Sequence, residues 1–205
     1  MIRFASLLSV CLLSLCVMTL PVKANDRLDE ATALVAEMAQ GVKQAVEADY
    51  ENDEAKVKVI DMLIERYFDF DGITRFSAGR YWRAASEAEK AEYAMLFRTV
   101  LTGLAVRQFD QLKGLNYTIT DTSAKGEKLA LVTGIMSDPT GANADAVVSW
   151  RVGTLKGKPV RIIDVEIENI SMLVTQQQEN TAIIRKNGGQ FSSLIDAMRK
   201  AANAL

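Results

Sequence analysis

Apolar positions recur along this chain in two different periods, and the switch between them divides it near the middle. Ahead of both, Phe4 to Leu20 is a charge-free, mostly apolar run that follows Met1-Ile2-Arg3 and leads into Pro21 and the small-x-small step Val22-Lys23-Ala24. A short positive start, an apolar core and such a step describe a secretory signal peptide, residues 1–24, cleaved after Ala24. Two rivals fit less well. An uncleaved anchor would use the run to cross a bilayer, but Pro21 and the Ala24 step favour cleavage. A lipoprotein would need a small residue before its lipidated cysteine, whereas Cys11 follows Val10 and Cys16 follows Leu15.

Helical spacing governs the next ninety residues. Leu28, Leu34, Val35, Met38, Val42 and Val46 recur mostly three and four apart over 27–48, and Val57, Ile60, Leu63, Ile64, Tyr67 and Phe68 do so over about 54–69, which predicts two amphipathic helices. Asp69-Phe70-Asp71-Gly72 reads as the stop of the second, with the glycine as terminator. Short helical turns follow over Ile73 to Arg83. Ser86-Glu87-Ala88-Glu89 is a capping box that starts a long helix running to about Lys113, its stripe marked by Tyr93, Phe97, Val100, Leu101, Leu104 and Phe109.

From Leu115 the period falls to two. Leu115, Tyr117 and Ile119 alternate with polar residues, Leu129 to Met136 is apolar on both faces, and Val148, Trp150 and Val152 share one face of a third strand. Lys156-Gly157-Lys158-Pro159 turns into a fourth, where Ile163, Val165 and Ile167 point one way and Asp164 and Glu166 point to the wet side. Strands joined by short turns are antiparallel, so an α+β fold is predicted: a four-stranded meander with helices gathered on one face. Helices return over Met172 to Lys186 and, after Asn187-Gly188-Gly189, around Phe191, Leu194, Ile195 and Met198.

Composition narrows the chemistry. The signal carries off both cysteines, and the 205 residues contain no histidine. The exported part, 25–205, suits one domain. It has neither a disulfide framework nor the imidazole that ordinary zinc sites and Ser-His or Cys-His catalysis require. Arg3 and Lys23 leave with the signal, so 22 basic residues face 26 acidic ones, a net charge of −4, which speaks against a general nucleic-acid surface. Asp69, Asp71, Asp164, Glu166 and Glu168 are read as solvated positions rather than as paired acid and base groups. Asp69-Phe70-Asp71-Gly72 is too short for a calcium loop.

Several stretches together resemble one family. Tyr67-Phe68-Asp69-Phe70, Gly79-Arg80-Tyr81-Trp82-Arg83, the Phe97 helix after Ser86, Ile163-Asp164-Val165-Glu166-Ile167-Glu168-Asn169-Ile170-Ser171 and Ile184-Arg185-Lys186-Asn187-Gly188-Gly189 look, in this order, like the periplasmic MlaC phospholipid-binding proteins, also called toluene-tolerance auxiliary components. Gln177 stands where members of that family often carry Arg, and Asn180 where an aromatic is usual. The resemblance implies a curved sheet packed by helices, NTF2-like in general shape, that binds acyl chains between its layers. It also implies a monomeric carrier in the periplasm, with phospholipid as cargo and no cofactor. The implied partners are an inner-membrane MCE-domain ABC transporter complex and an outer-membrane lipoprotein complex, and the implied role is to maintain outer-membrane lipid asymmetry.

A carrier must shelter hydrocarbon, at about 0.8 kcal/mol per buried methylene. The candidates for that lining are Phe68, Phe70, Phe76, Tyr81, Trp82, Phe97, Leu101, Leu104, Leu131, Trp150, Ile163, Val165, Ile167, Ile170, Met172 and Val174. Arg80 and Arg83 are the candidates for a headgroup phosphate. Spacing alone predicts burial of the apolar set without distinguishing a full interior from a hollow one. Two other functions remain open: a periplasmic adaptor with a filled core that binds protein partners, and a hydrolase working through Ser171, Lys186 or carboxylates.

Overall fold

A computed structural model of the chain describes residues 24–155 and 157–205; the expected signal peptide, apart from Ala24, lies outside them. Helices α1 (Ala24–Glu47), α2 (Asp53–Tyr67), α3 (Phe70–Ser77) and α4 (Glu87–Phe109) come first, with a 3-10 turn over Gly79–Arg83 and another over Asp110–Leu112. Strands β1 (Asn116–Ala124), β2 (Leu129–Ser137), β3 (Ala146–Gly153), β4 (Arg161–Ile167) and β5 (Ile170–Ser171) follow, and α5 (Met172–Lys186) and α6 (Ser192–Ala202) close the chain.

Local chemistry sets most of these boundaries. The Asn52 side chain accepts the Ala55 N–H at 3.0 Å and so caps α2. The predicted capping box forms at α4: Glu89 N–H donates to Ser86 Oγ, and Ser86 N–H donates to Glu89 Oε2 at 2.8 Å. The expectation at Gly72 was reversed. Helix α2 stops earlier because Phe68 turns to extended backbone, pairs with Ile162 as a parallel bridge, and lets Asp69 N–H reach the Ile162 carbonyl at 2.9 Å. Asp69 then starts α3 by accepting the Gly72 N–H at 3.0 Å. Gly72 is small because a Cβ there would strike that carboxylate.

The sheet is antiparallel in the order β1-β2-β3-β4-β5, so it has five strands rather than the four expected. The fifth is two residues long. Glu168 and Asn169, at φ 49° and 63°, form a two-residue hairpin of the kind that needs positive φ at both central positions, and Ile170 folds back onto Ile167. The alternation of β4 also departs from expectation. Asp164 pairs with Arg151 but Ile162 pairs with Val152, leaving Ile163 as an extra, bulged residue. Its side chain approaches Gly153 on the far face, and Ile162, Val165 and Ile167 are the residues that face the helices.

Asp164 and Glu166 are not on the wet side. They are 6% and 7% exposed. Arg151 pairs with both, and the start of α5 covers Asp164: Ser171 Oγ donates to it at 2.5 Å and Leu173 N–H at 3.0 Å. A buried carboxylate needs such partners.

Buried side chains gather in three clusters. The first joins α3, α4, α5 and α6 around Tyr93, Phe97, Ile184 and Leu194. The second presses α1 onto the sheet through Ala31, Val35, Ala130, Val132, Val152 and Ile162. The third holds α1, α2 and α4 together through Val46, Ile60 and Phe109. Val42 and Leu63 touch both the second and the third, and beside them the layers leave a cavity.

Candidate functional site

The strand register shows where they part. On the helix-facing side of the sheet, Ala124, Ala130, Val152 and Ile162 lie side by side, then Thr122, Val132, Trp150 and Val165, then Ile119, Gly134, Val148 and Ile167, and last Tyr117, Met136 and Ala146. Two hydrogen bonds lay α1 along the same axis. Thr32 meets Thr122 at 2.8 Å, beside the Trp150 row, and Lys43 Nζ donates to Asn116 Oδ1 at 2.9 Å beside the last row. At the Ala124 end α1 is clamped, with Arg27 donating to the carbonyls of Leu155 and Lys158. Small side chains, Ala31 on the helix and Ala130 on the sheet, let the two surfaces close there without a gap.

Beyond the Trp150 row the space is open. A cavity of about 810 Å³ runs from there to the Tyr117 row, four residues along β3 or roughly 13 Å. The sheet supplies Tyr117, Ile119, Met136, Val148, Trp150, Val165 and Ile167, with Phe68 beside them. Opposite stand Met38, Val42 and Val46 of α1, Ile60, Leu63 and Ile64 of α2, Ala105 and Phe109 at the end of α4, and Leu112 of the 3-10 turn after it. Polar side chains gather only toward the rim: Gln40 and Lys43 on α1, Gln108 on α4, and Asn116 and Thr118 on β1. The interior is thus hydrocarbon-like and its edge polar, as in most pockets for small amphiphiles.

One aromatic group organises the inner wall. Trp150 is met edge-on by Phe68 at 6.3 Å and by Tyr117 at 6.5 Å between ring centroids, a favoured arrangement of ring quadrupoles. Tyr117 lies flat across β2 because position 134 is glycine; a Cβ there would come within 2.5 Å of its ring. Its hydroxyl donates to the Val148 carbonyl at 3.1 Å. Burial pushes that hydroxyl up to about 12, partly offset by the nearby indole N–H of Trp150. Among the described residues the indole N–H itself is buried without a partner in hydrogen-bonding geometry.

Of the residues singled out by sequence, Phe68, Trp150, Val165 and Ile167 line this cavity. Phe70, Tyr81, Trp82, Phe97 and Leu101 belong instead to the filled helical core. There Phe97 stacks on Phe70 at 6.0 Å and on Tyr93 at 5.4 Å, and Trp82 meets the Tyr93 edge. Leu131 pairs with Ser123 and Arg151 on the far face of the sheet, where the bulged Ile163 also lies, beside Gly153. Phe76, Leu104 and Ile170 are 44%, 46% and 58% exposed, and Met172 and Val174 are half-buried in the first turn of α5. Arg80 lies over the Tyr81 ring and donates to its hydroxyl, while Arg83 is exposed. Both sit on the 3-10 turn beside the helical core, and neither is at the cavity rim.

The two departures from the family pattern both have structural roles. Asn180 is fully buried and donates to the Ser77 carbonyl at 3.1 Å and to the Tyr93 hydroxyl at 2.9 Å. Gln177 donates to the Phe76 carbonyl at 3.0 Å. Asn180 ties α5 to both α3 and α4, and Gln177 ties it to α3.

Sequence reasoning missed most of the helical lining. Met38, Val42, Val46, Ile60, Leu63 and Ile64 read correctly as buried stripes, but a stripe is the same whether it meets a partner or a void. The available signal was small size: Ala36, Ala39 and Ala105 share those cavity-facing surfaces and leave room that larger residues would fill.

Comparison with known proteins agrees with this architecture. No curated protein matches the chain in sequence. A phospholipid-binding protein from Ralstonia solanacearum, solved in complex with a phospholipid, is similar in structure with a TM-score of 0.72 at 15% identity, over 85% of this chain and 97% of that one. At that identity the likeness establishes the fold. Residues 32–200 match the MlaC protein family, and the chain therefore belongs to the MlaC family.

Proposed function

We propose that this protein is a phospholipid carrier of the periplasm. In this reading it is exported by cleavage of residues 1–24, works as a single domain over 25–205, and shuttles lipid between an outer-membrane lipoprotein complex and an inner-membrane MCE-domain ABC transporter. The observation that carries the reading is the apolar cavity of about 810 Å³ between sheet and helices, open at a polar rim. Membership of the MlaC family and the phospholipid bound by the Ralstonia solanacearum protein support it.

The physical work is extraction, shelter and release. At about 0.8 kcal/mol per buried methylene, a lipid's tails supply the drive to enter, and Phe68, Trp150, Val165, Ile167, Val148 and Ile119 are the surfaces that replace water around them. A polar headgroup stays at the rim near Lys43 and Asn116. No covalent step is required. A partner complex unloads the carrier by favouring a conformation with lower affinity for lipid, because a balance between states moves only by unequal affinity.

Native mass spectrometry of protein purified from the periplasm without detergent, followed by lipid extraction, tests this. Phospholipid at about one molecule per chain is expected. Protein that emerges free of lipid and takes none up from vesicles would point instead to the adaptor reading.

A further inference from the structure

We propose that Trp150, backed by Phe68, is the stop that sets how long a hydrocarbon tail the cavity accepts. This rests on the carrier reading and adds a specificity-determining residue to it. The argument begins with position. Trp150 stands in the last open row of the sheet, and in the row beneath it Ala130, Val152 and Ile162 are fully buried against Ala31 and Val35 of α1. A tail entering at the rim and following β3 inward therefore meets the indole and then solid protein. Phe68 closes the same level, its ring meeting Trp150 from a backbone bridged to Ile162 in the row beneath.

Rigidity is the second observation. The indole is wedged between the edges of Phe68 and Tyr117, and Tyr117 is itself fixed by its bond to Val148 and its seat on Gly134. A ring braced on both sides cannot swing aside as a methionine would, so it defines a length rather than yielding to one. The third is chemical. Among the described residues the buried indole N–H has no partner in hydrogen-bonding geometry, so no formed hydrogen bond anchors Trp150 here. Phenylalanine or leucine at this position would break no formed hydrogen bond, giving up only the proximity of the indole N–H to the Tyr117 hydroxyl, and would chiefly change the depth of the well.

The test uses purified protein stripped of lipid and a series of synthetic phosphatidylcholines differing only in saturated tail length, with affinity measured by competition. Each methylene that fits is worth about fourfold in affinity, so wild-type affinity climbs with length and then breaks at the stop. Trp150→Ala should move the break about two to four methylenes longer, and Trp150→Phe should move it less in the same direction. Val165→Phe, which narrows the same level, should move it shorter. The phenylalanine variants keep the test decisive where alanine fails to fold. A break that stays in place in every folded variant would overturn the proposal and place the tails between α2 and α4 instead. Wild-type protein that binds no member of the series would overturn the carrier reading itself.

Discussion

The two tryptophans of this chain sit among similar neighbours in regions of opposite character. Trp82 packs on the edge of Tyr93 within a group that also holds Phe70, Phe97 and Phe191. Four helices pack around that group, and a buried polar set of Ser77, Tyr93 and Asn180 pins their relative positions. Trp150 is flanked by Phe68 and Tyr117 in the same edge-on manner but looks out over a cavity. Aromatic density therefore does not decide whether an interior is full. What differs is the support: α3, α4, α5 and α6 pack into one buried cluster, whereas α1 buries Ala31 and Val35 against the sheet near its clamped end and toward the rim faces it across the cavity, reaching it through Lys43.

The sharpest way to break this comparison is to cut into both regions. Phe97→Ala should create a void in a packed core and cost about 3–5 kcal/mol. Val165→Ala removes methyl groups that already face open space and should cost about 1.5 kcal/mol or less. Denaturant unfolding of lipid-free protein measures both, and equal costs would mean that the two interiors are equally filled.

Smaller effects sharpen it. Asn180→Ala takes a donor from the Tyr93 hydroxyl and the Ser77 carbonyl and should cost about 1–3 kcal/mol, with lipid content unchanged. Gly134→Ala lies in the same range through overpacking but should also lower lipid content, because it lifts Tyr117 off the sheet into the cavity. Comparing retained phospholipid between these two variants separates a fault in the filled region from one in the hollow region.

A further effect is in alkali. Burial raises the hydroxyls of Tyr67, Tyr93 and Tyr117, the last to about 12, above the value near 10 of an unfolded tyrosine. The unfolded chain then releases protons that the native one keeps, so stability is whole below about pH 10 and declines as pH rises toward 12. Tyr117→Phe should flatten that decline, and lipid filling the cavity should delay phenolate formation at Tyr117. Near-ultraviolet absorbance during the titration measures both.

Much of this architecture was legible in the residues. The stripes of α1, α2 and α4, the capping box at Ser86, the change of period at Leu115 and the shared face of Val148, Trp150 and Val152 all follow from local chemistry. The fifth strand was not legible, because two residues carry no alternation. The start of α3 looks from sequence like a helix stop, because a glycine after an acidic pair reads as a terminator, whereas Gly72 serves the Asp69 cap. The site was legible in part. Phe68, Trp150, Val165 and Ile167 were named from aromatic size and strand phase, but those same criteria also selected Phe97 and Trp82. Fullness is a property of how surfaces meet across the fold, and neither period nor hydropathy encodes it.

The extra residue in β4 has a consequence for what the cavity can hold. Counting by twos from Ile162, an uninterrupted strand would aim Asp164 and Glu166 among the hydrophobic side chains, where two carboxylates would repel any tail and demand water. The slip at Ile163 turns them outward onto Arg151 and the start of α5, and brings Val165 and Ile167 inward in their place. One amino acid out of step keeps the chamber greasy.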